Sequence, residues 1–301
     1  MTVLNALRIA HAAKPFKAPV AVVVGGTAGI GAALAEKIAR YSVNPEIHLV
    51  GRSEVSAEKV LSGLKAANPG GQYHFHQCDI SLLANARTLA ASLSQSLPKV
   101  NLLVLTSGMF SMSGRTETTE GHDVKMVLHY YSRMLFAQRL LPNLQAAADA
   151  GENARVSTVL DSKRGDLRKL DWDDLDLKKG FGVGAVAYHC LTMTDIAIQR
   201  FARLHPSMSF QHAFPSIVAT SISRAFPWYV AGPAAIFNML FARSAEDCAE
   251  YLFDPLWNDA MKTGAHFIDS DGKEVAQVKA DSGAEAQEKL WRHTEDIIGK
   301  P

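Results

Sequence analysis

The stretch from Val20 to Gly31, Val-Ala-Val-Val-Val-Gly-Gly-Thr-Ala-Gly-Ile-Gly, constrains the fold more than any other part of the chain. Its first five residues are an almost unbroken β-branched run, the composition of a strand buried on both faces of a parallel sheet. Glycines follow, and Ala32 to Arg40 reads as an amphipathic helix. Strand, glycine turn and helix in that order are the context a dinucleotide site requires. Gly25 supplies a tight turn, Gly29 a close approach of backbone to pyrophosphate, and Gly31 close packing of helix on strand. Thr27, Ala28 and Ile30 sit among them. The helix N-terminus offers free N–H groups and partial positive charge to phosphates.

A chain of 301 residues can bury one large core, and nothing in it demands a second domain. The 31 Lys and Arg against 30 Asp and Glu leave a net charge of +1, which provides no broad attraction to nucleic acid or anionic membrane. Cys78, Cys190 and Cys248 are odd in number and widely spaced, so neither a disulfide framework nor a zinc site is expected. A reducing, cytoplasmic setting follows as the expectation. The segment 1–15 is too short and too charged for a secretory signal and reads as a short helix packed on the domain. The longest apolar run, 225–241, is interrupted by Pro227, Gly232, Pro233 and Asn238, so no membrane span is expected.

The remaining elements alternate. Glu46 to Val50 reads as a second strand, ending at Gly51-Arg52-Ser53. An acidic side chain here would bind the ribose 2′-hydroxyl of NAD, whereas the Arg52 guanidinium suits a 2′-phosphate, so NADP(H) is the expected cofactor. A helix over 56–67 leads to a third strand, Tyr73 to Gln77, with Asp79 and Ile80 at its carboxyl end, where Asp79 would bind the adenine edge. His74 and His76 share a face of that strand, but no third ligand lies nearby and no metal is expected. After a helix over 82–96, the strand 100–105 ends in Thr106-Ser107-Gly108. A long helix is predicted over 120–148, kinked at Pro142, with His129 and Arg133 four apart on one face. The strand 155–160 delivers Asp161 and Ser162 to the same end of the sheet. A charged surface loop, 171–179, precedes a helix over 184–204 carrying Tyr188 and Thr192. A strand over 207–212, the segment Pro215-Ser216-Ile217-Val218-Ala219-Thr220, a helix with Glu246 and Glu250, a strand over 265–268 and a C-terminal helix complete the pattern. Together they predict an α/β fold, a Rossmann-like doubly wound parallel sheet in a single domain over 1–301.

The order of these features resembles the short-chain dehydrogenase/reductase family over residues 18–270. The glycine turn is similar to the family's Thr-Gly-x-x-x-Gly-x-Gly, with Val24 in the threonine position. Gly51-Arg52 resembles its NADP-preferring members, and Asp79-Ile80 its adenine-contacting pair. Ser107 and Gly108 fall within the counterpart of Asn-Asn-Ala-Gly, and Pro215, Ile217, Val218 and Thr220 within that of Pro-Gly-x-Val-x-Thr. Glu120-Gly121, Tyr130-Tyr131-Ser132-Arg133 and Leu290-Trp291-x-His293-Thr294 resemble a fungal branch tied to secondary metabolism.

The family's chemistry uses Ser, Tyr and Lys, the last two as Tyr-x-x-x-Lys, with an Asn on the long helix. Here Tyr188 is followed four residues on by Thr192, the serine position falls on Asp161 or Ser162, and the asparagine position on His129. The resemblance therefore implies a bound NADP(H), in which Thr192 would keep a ribose hydrogen bond, and leaves the catalytic set altered. Reduction needs a proton donor, which a neutral tyrosine already is; oxidation needs tyrosinate and would suffer more from the missing lysine. Arg133 or protonated His129 would supply the nearby cation. The first expectation is an NADPH-dependent reductase of a carbonyl or imine in a bulky apolar metabolite, with 221–262 as a substrate lid. The second is a non-redox isomerase, dehydratase or cyclase that keeps NADP as a structural occupant and works through Asp161, His129 and Arg133. The third is a non-catalytic NADP-binding module. The family likeness also implies a homodimer or homotetramer.

Overall fold

In the computed structural model, residues 2–216, 218, 243–275 and 282–300 are described. Seven parallel strands form the central sheet: β1 (Val20–Val24), β2 (Glu46–Gly51), β3 (Gln72–Gln77), β4 (Leu102–Leu105), β5 (Arg155–Val159), β6 (Ser209–Ala213) and β7 (Gly264–Ile268). Their spatial order is β3-β2-β1-β4-β5-β6-β7, so the chain reverses direction across the sheet between β1 and β4. Parallel strands need crossovers, which put helices on both faces and leave a crevice at the reversal, beyond the carboxyl ends of the strands.

All five residues of β1 are buried, as its β-branched run predicts. Val22 and Val24 point into one core, shared with Leu103, Leu105 and Phe210; Ala21 and Val23 point into the other, shared with Ile47, Leu49, Leu102 and Val104. The helices are α1 (Val3–Ala13), α2 (Gly29–Arg40), α3 (Glu54–Ala67), α4 (Leu83–Ser96), α5 (124–139), α6 (Leu141–Asp149), α7 (Val183–Leu204), α8 (Ala245–Trp257) and α9 (Ala284–Ile298). No helix among the described residues is long and apolar enough to cross a membrane.

The predicted 120–148 helix departs from expectation in three ways. It starts at Val124, where the Asp123 carboxylate accepts from the N–H groups of Lys125 and Met126. It contains a π turn at Val127–Tyr131. It ends before Leu141, and Pro142 lies in the first turn of a new helix, α6, instead of kinking an old one. Proline lacks only an N–H that a first turn leaves unpaired anyway, so it starts a helix at little cost.

Of the segment 221–262, expected to form a substrate lid, only 243–262 fall among the described residues. Residues 221–242 lie outside the described set, whereas 245–257 are α8, whose Cys248, Leu252, Phe253 and Leu256 are buried in the core beside α2. The N-terminal helix α1 is held onto α8: His11 Nδ1 lies 2.8 Å from Glu250 and its Nε2 lies 3.1 Å from Asp254. The fungal-branch motifs also meet in space. Tyr130 and Tyr131 of α5 place their hydroxyls 2.8 Å from Thr294 Oγ1 and 2.9 Å from His293 Nε2 of α9. Glu120 accepts from the first N–H groups of α4, Leu83 at 2.6 Å and Ala84 at 2.8 Å. These motif residues dock helices.

Candidate functional site

The crevice at the sheet reversal holds a cavity of about 270 Å³ lined by Gly25, Thr27, Ala28, Gly29, Ile30, Gly31, Val50, Gly51, Arg52, Cys78, Asp79, Ile80, Thr106, Ser107, Gly108 and Leu128. The turn fits there because two of its glycines have no room for a side chain. Gly25 has φ +84°, and a Cβ would meet Ser107 N at 2.7 Å. A Cβ on Gly31 would meet Gly25 O and Thr106 Oγ1 at 2.4 Å. Thr106, not singled out in the sequence, is the latch: its hydroxyl donates to Val24 O at 3.0 Å. The N-cap of α2 is Ala28, and no side chain caps the helix. Its first N–H groups thus face the cavity with the positive end of the helix dipole, an arrangement suited to a pyrophosphate.

At one end of this cavity Arg52 is exposed, and among the described residues no acceptor holds its guanidinium. Asp79 binds Ser81 through one oxygen, Oδ1, at 3.0 Å from N and 2.7 Å from Oγ. Arg52 and Asp79 also line an adjoining groove with Gln77, Asn85 and Thr88. Ser53 is used otherwise: its hydroxyl oxygen caps α3, accepting from Ser56 N at 3.2 Å. Pro215 gives its carbonyl to Cys248 Sγ at 3.2 Å, and Val218 makes a β-bridge with Arg243. Ile217 and Thr220 lie outside the described residues.

At the other end, the structure separates residues that the sequence grouped. His129 and Arg133 do meet, both against Gly108. Yet Arg133 is fully buried, with its guanidinium donating to Leu128 O (3.2 Å), Val159 O (2.9 Å) and Ser107 O. It ties the ends of β4 and β5 to α5, with one of its acceptors, Leu128 O, in the π turn. Burial lowers its pKa to about 10, so it stays charged. His129 accepts from Met109 N at 3.1 Å, and burial, followed by the Arg133 charge, pushes its pKa down to about 3. A protonated His129 is therefore not the cation near the chemistry. Ser162 is buried and donates to Ile268 O at 2.6 Å, tying β5 to β7. Asp161 is half-buried, with Oδ2 3.0 Å from Arg164 Nε.

Thr192 does not reach out for a ribose either. It is fully buried, accepts from Asp166 N at 3.0 Å and donates back to Asp166 O at 3.4 Å. The loop after β5 is thereby pinned to α7. A second pin is His189, one residue past Tyr188 and buried on the opposite side: Nε2 accepts from Asp171 N at 3.1 Å, and Nδ1 lies 3.2 Å from Leu175 O. The charged stretch 171–179 is thus no loose surface insertion. Asp174 gathers the N–H groups of Lys178, Lys179 and Gly180, and Leu175 and Leu177 are buried.

Tyr188 remains half-buried on α7, and the same pinned loop carries Lys169 to it, with Nζ 3.6 Å from the ring centroid. The neighbouring Lys169 ammonium lowers the Tyr188 pKa from its ordinary value of 10.0. No spacing rule finds Lys169, which lies 19 residues before the tyrosine in a short 3₁₀ turn outside its helix. The expectation that no third ligand lies near His74 and His76 is corrected by the neighbouring strand, which brings Glu46 and His48 to them: His48 Nδ1 lies 2.9 Å from His76 and its Nε2 3.0 Å from Glu46, with His74 stacked at 4.7 Å.

Comparison with known proteins agrees with this geometry. The short chain dehydrogenase family model matches residues 19–160. Oxidoreductase AN1596 of Emericella nidulans is 39% identical over 208 residues, covering 69% of this chain and 61% of the relative. Oxidoreductase andH of Emericella variicolor is 36% identical over 233 residues, covering 77% and 67%. The chain thus spans about three fifths to two thirds of these relatives' lengths. The solved Pseudomonas aeruginosa RhlG/NADP active-site complex shares the fold, with TM-score 0.64 over 87% of this chain and 98% of that one, at 20% identity. On its glycine cradle, its sheet order and these matches, the chain belongs to the short-chain dehydrogenase/reductase family.

Proposed function

We propose that the protein is an NADPH-dependent reductase of a carbonyl or imine in a bulky apolar metabolite. The observation that carries this reading is the pairing of an intact dinucleotide cradle with a half-buried Tyr188 at the same, carboxyl-terminal edge of the sheet. Bound in the cradle, NADPH supplies a hydride equivalent. The substrate carbon gains that hydride while its oxygen, or imine nitrogen, takes the proton of Tyr188 Oη; solvent then reprotonates the tyrosinate. The apolar substrate class is supported by the loop directly after Gly108, where Phe110 and Met112 are exposed large hydrophobic side chains. The non-redox alternative loses support, because His129 and Arg133, two of its three groups, are spent on backbone atoms.

Cofactor choice is testable through Arg52. A charge-assisted bond to a 2′-phosphate contributes about 1.5–3 kcal/mol, equivalent to roughly 10–100-fold in affinity. Isothermal titration of wild type and Arg52→Ala should therefore show NADPH binding weakened by that factor and NADH binding little changed. Equal affinities of the wild type for the two cofactors would sink the NADPH assignment.

A further inference from the structure

We propose that Lys169 is the cation of the reacting tyrosine, delivered by the loop after β5 in place of a lysine on the tyrosine's own helix, with Thr192 as the residue that holds the loop in position. The proposal rests on the reductase reading for its use, but its geometry stands independently. Three charged groups of this loop act on Tyr188: Lys169, whose ammonium lies over the ring, and more weakly Arg164 and Asp161. Arg164 and Asp161 neutralise each other at 3.0 Å. Lys169 has no carboxylate partner among the described residues, so the net charge at the phenol is its ammonium.

The position of that ammonium is built from α7. Thr192 stands one helical turn beyond Tyr188, and its hydroxyl holds both the N–H and the carbonyl of Asp166. Asp166 in turn starts the 3₁₀ turn Leu167–Lys169: its carboxylate caps Arg168 N at 3.1 Å, and its carbonyl accepts from Lys169 N at 3.0 Å. The residue four beyond the tyrosine thus still determines where a cation stands, acting through a loop backbone. When Tyr188 gives up its proton, the phenolate charge forms beside this ammonium, which stabilises it more than the neutral phenol. Lys169 is a positioning and electrostatic residue; Tyr188 is the group that moves the proton.

Tyrosinate absorbance reads this without any turnover. Among the described tyrosines, Tyr41 is pushed up to about 12, and burial also raises Tyr73, Tyr130 and Tyr131; Tyr251 also lies under a cation, Arg243 at 4.3 Å, so Tyr188→Phe is what assigns the early step. Spectrophotometric pH titration of the full chain without cofactor should show one tyrosine ionising ahead of the rest. That step should vanish in Tyr188→Phe, move up towards the ordinary value near 10 in Lys169→Met, and persist in Lys169→Arg. Thr192→Val should move it in the same direction as Lys169→Met, with circular dichroism confirming the fold. An early step that is absent from the wild type, or indifferent to Lys169→Met, overturns the proposal. A Lys169-dependent early step in a protein that transfers no hydride would instead support the proposal and refute the reductase reading alone.

Discussion

Tyr188→Phe is expected to lower turnover by about 10²–10⁴-fold, the usual contribution of a positioned proton donor, while leaving NADPH affinity unchanged. The hydroxyl is the only group removed, and the tyrosine is not among the residues lining the phosphate cradle. Steady-state rates with a panel of apolar ketones and imines, alongside calorimetric NADPH binding, separate the two quantities. The reductase reading predicts the loss in kcat/KM without the loss in binding. Unaltered turnover in the phenylalanine variant would remove Tyr188 from the chemistry. Loss of binding as well would place the tyrosine in the cofactor site.

The second large effect concerns stability. Glu250 is fully buried and joins α8 to two other helices: it lies 2.8 Å from His11 Nδ1 of α1 and 3.0 Å from Lys37 Nζ of α2, and it accepts from the hydroxyl of Tyr41, the C-cap of α2, at 3.2 Å. Glu250→Gln keeps the shape and removes the charge, leaving Lys37 buried without its counterion and His11 with Asp254 alone. Breaking a buried pair from one side costs about 3–5 kcal/mol, and denaturant unfolding measures it. The same network gives stability a pH dependence. Burial lowers the His11 pKa, but the bonds to Asp254 and Glu250 outweigh it and the net shift is upward. That contribution is complete below the unfolded value of 6.5 and is lost as pH rises through the folded value. Burial raises Glu250, but the bonds from His11 and Lys37 bring it below its ordinary 4.5. Its contribution is complete above 4.5 and is lost as pH falls through the folded value. Both contributions are whole between 4.5 and 6.5, so wild-type stability from this cluster should be greatest in that window and less above it. In Glu250→Gln the decline above the window should be shallower.

How much of this could be read from sequence follows from where each interaction lies along the chain. The β1 run, the glycine turn and the alternation of strands and helices are local patterns, and they gave the sheet, its crevice and most of the cradle, from Gly25 through Arg52 to Gly108. Local patterns mislead where a side chain has two uses. Ser162 and Thr192 carry hydroxyls at positions that invite a substrate or ribose role, yet each is tied to a distant backbone group, Ile268 and Asp166. Arg133 has the same history: four residues from His129 it reads as a site cation, but its three carbonyl partners come from three separate segments. Pro142 reads as a kink within one helix, but the break at Leu140 makes it the start of another. Lys169 was illegible because nothing in its own neighbourhood marks it. Only the folding of the loop back onto α7 brings it to Tyr188.

The most direct measurement of the account is isotope transfer from cofactor to product. The protein is incubated with NADPH deuterated at C4, each face in turn, and the panel of apolar carbonyls and imines, and products are analysed by mass spectrometry. The account predicts one deuterium in the reduced product from one face only, with NADPH consumed in equal amount. Product formed with NADP⁺ alone, or formed from deuterated NADPH without gaining deuterium, would contradict it.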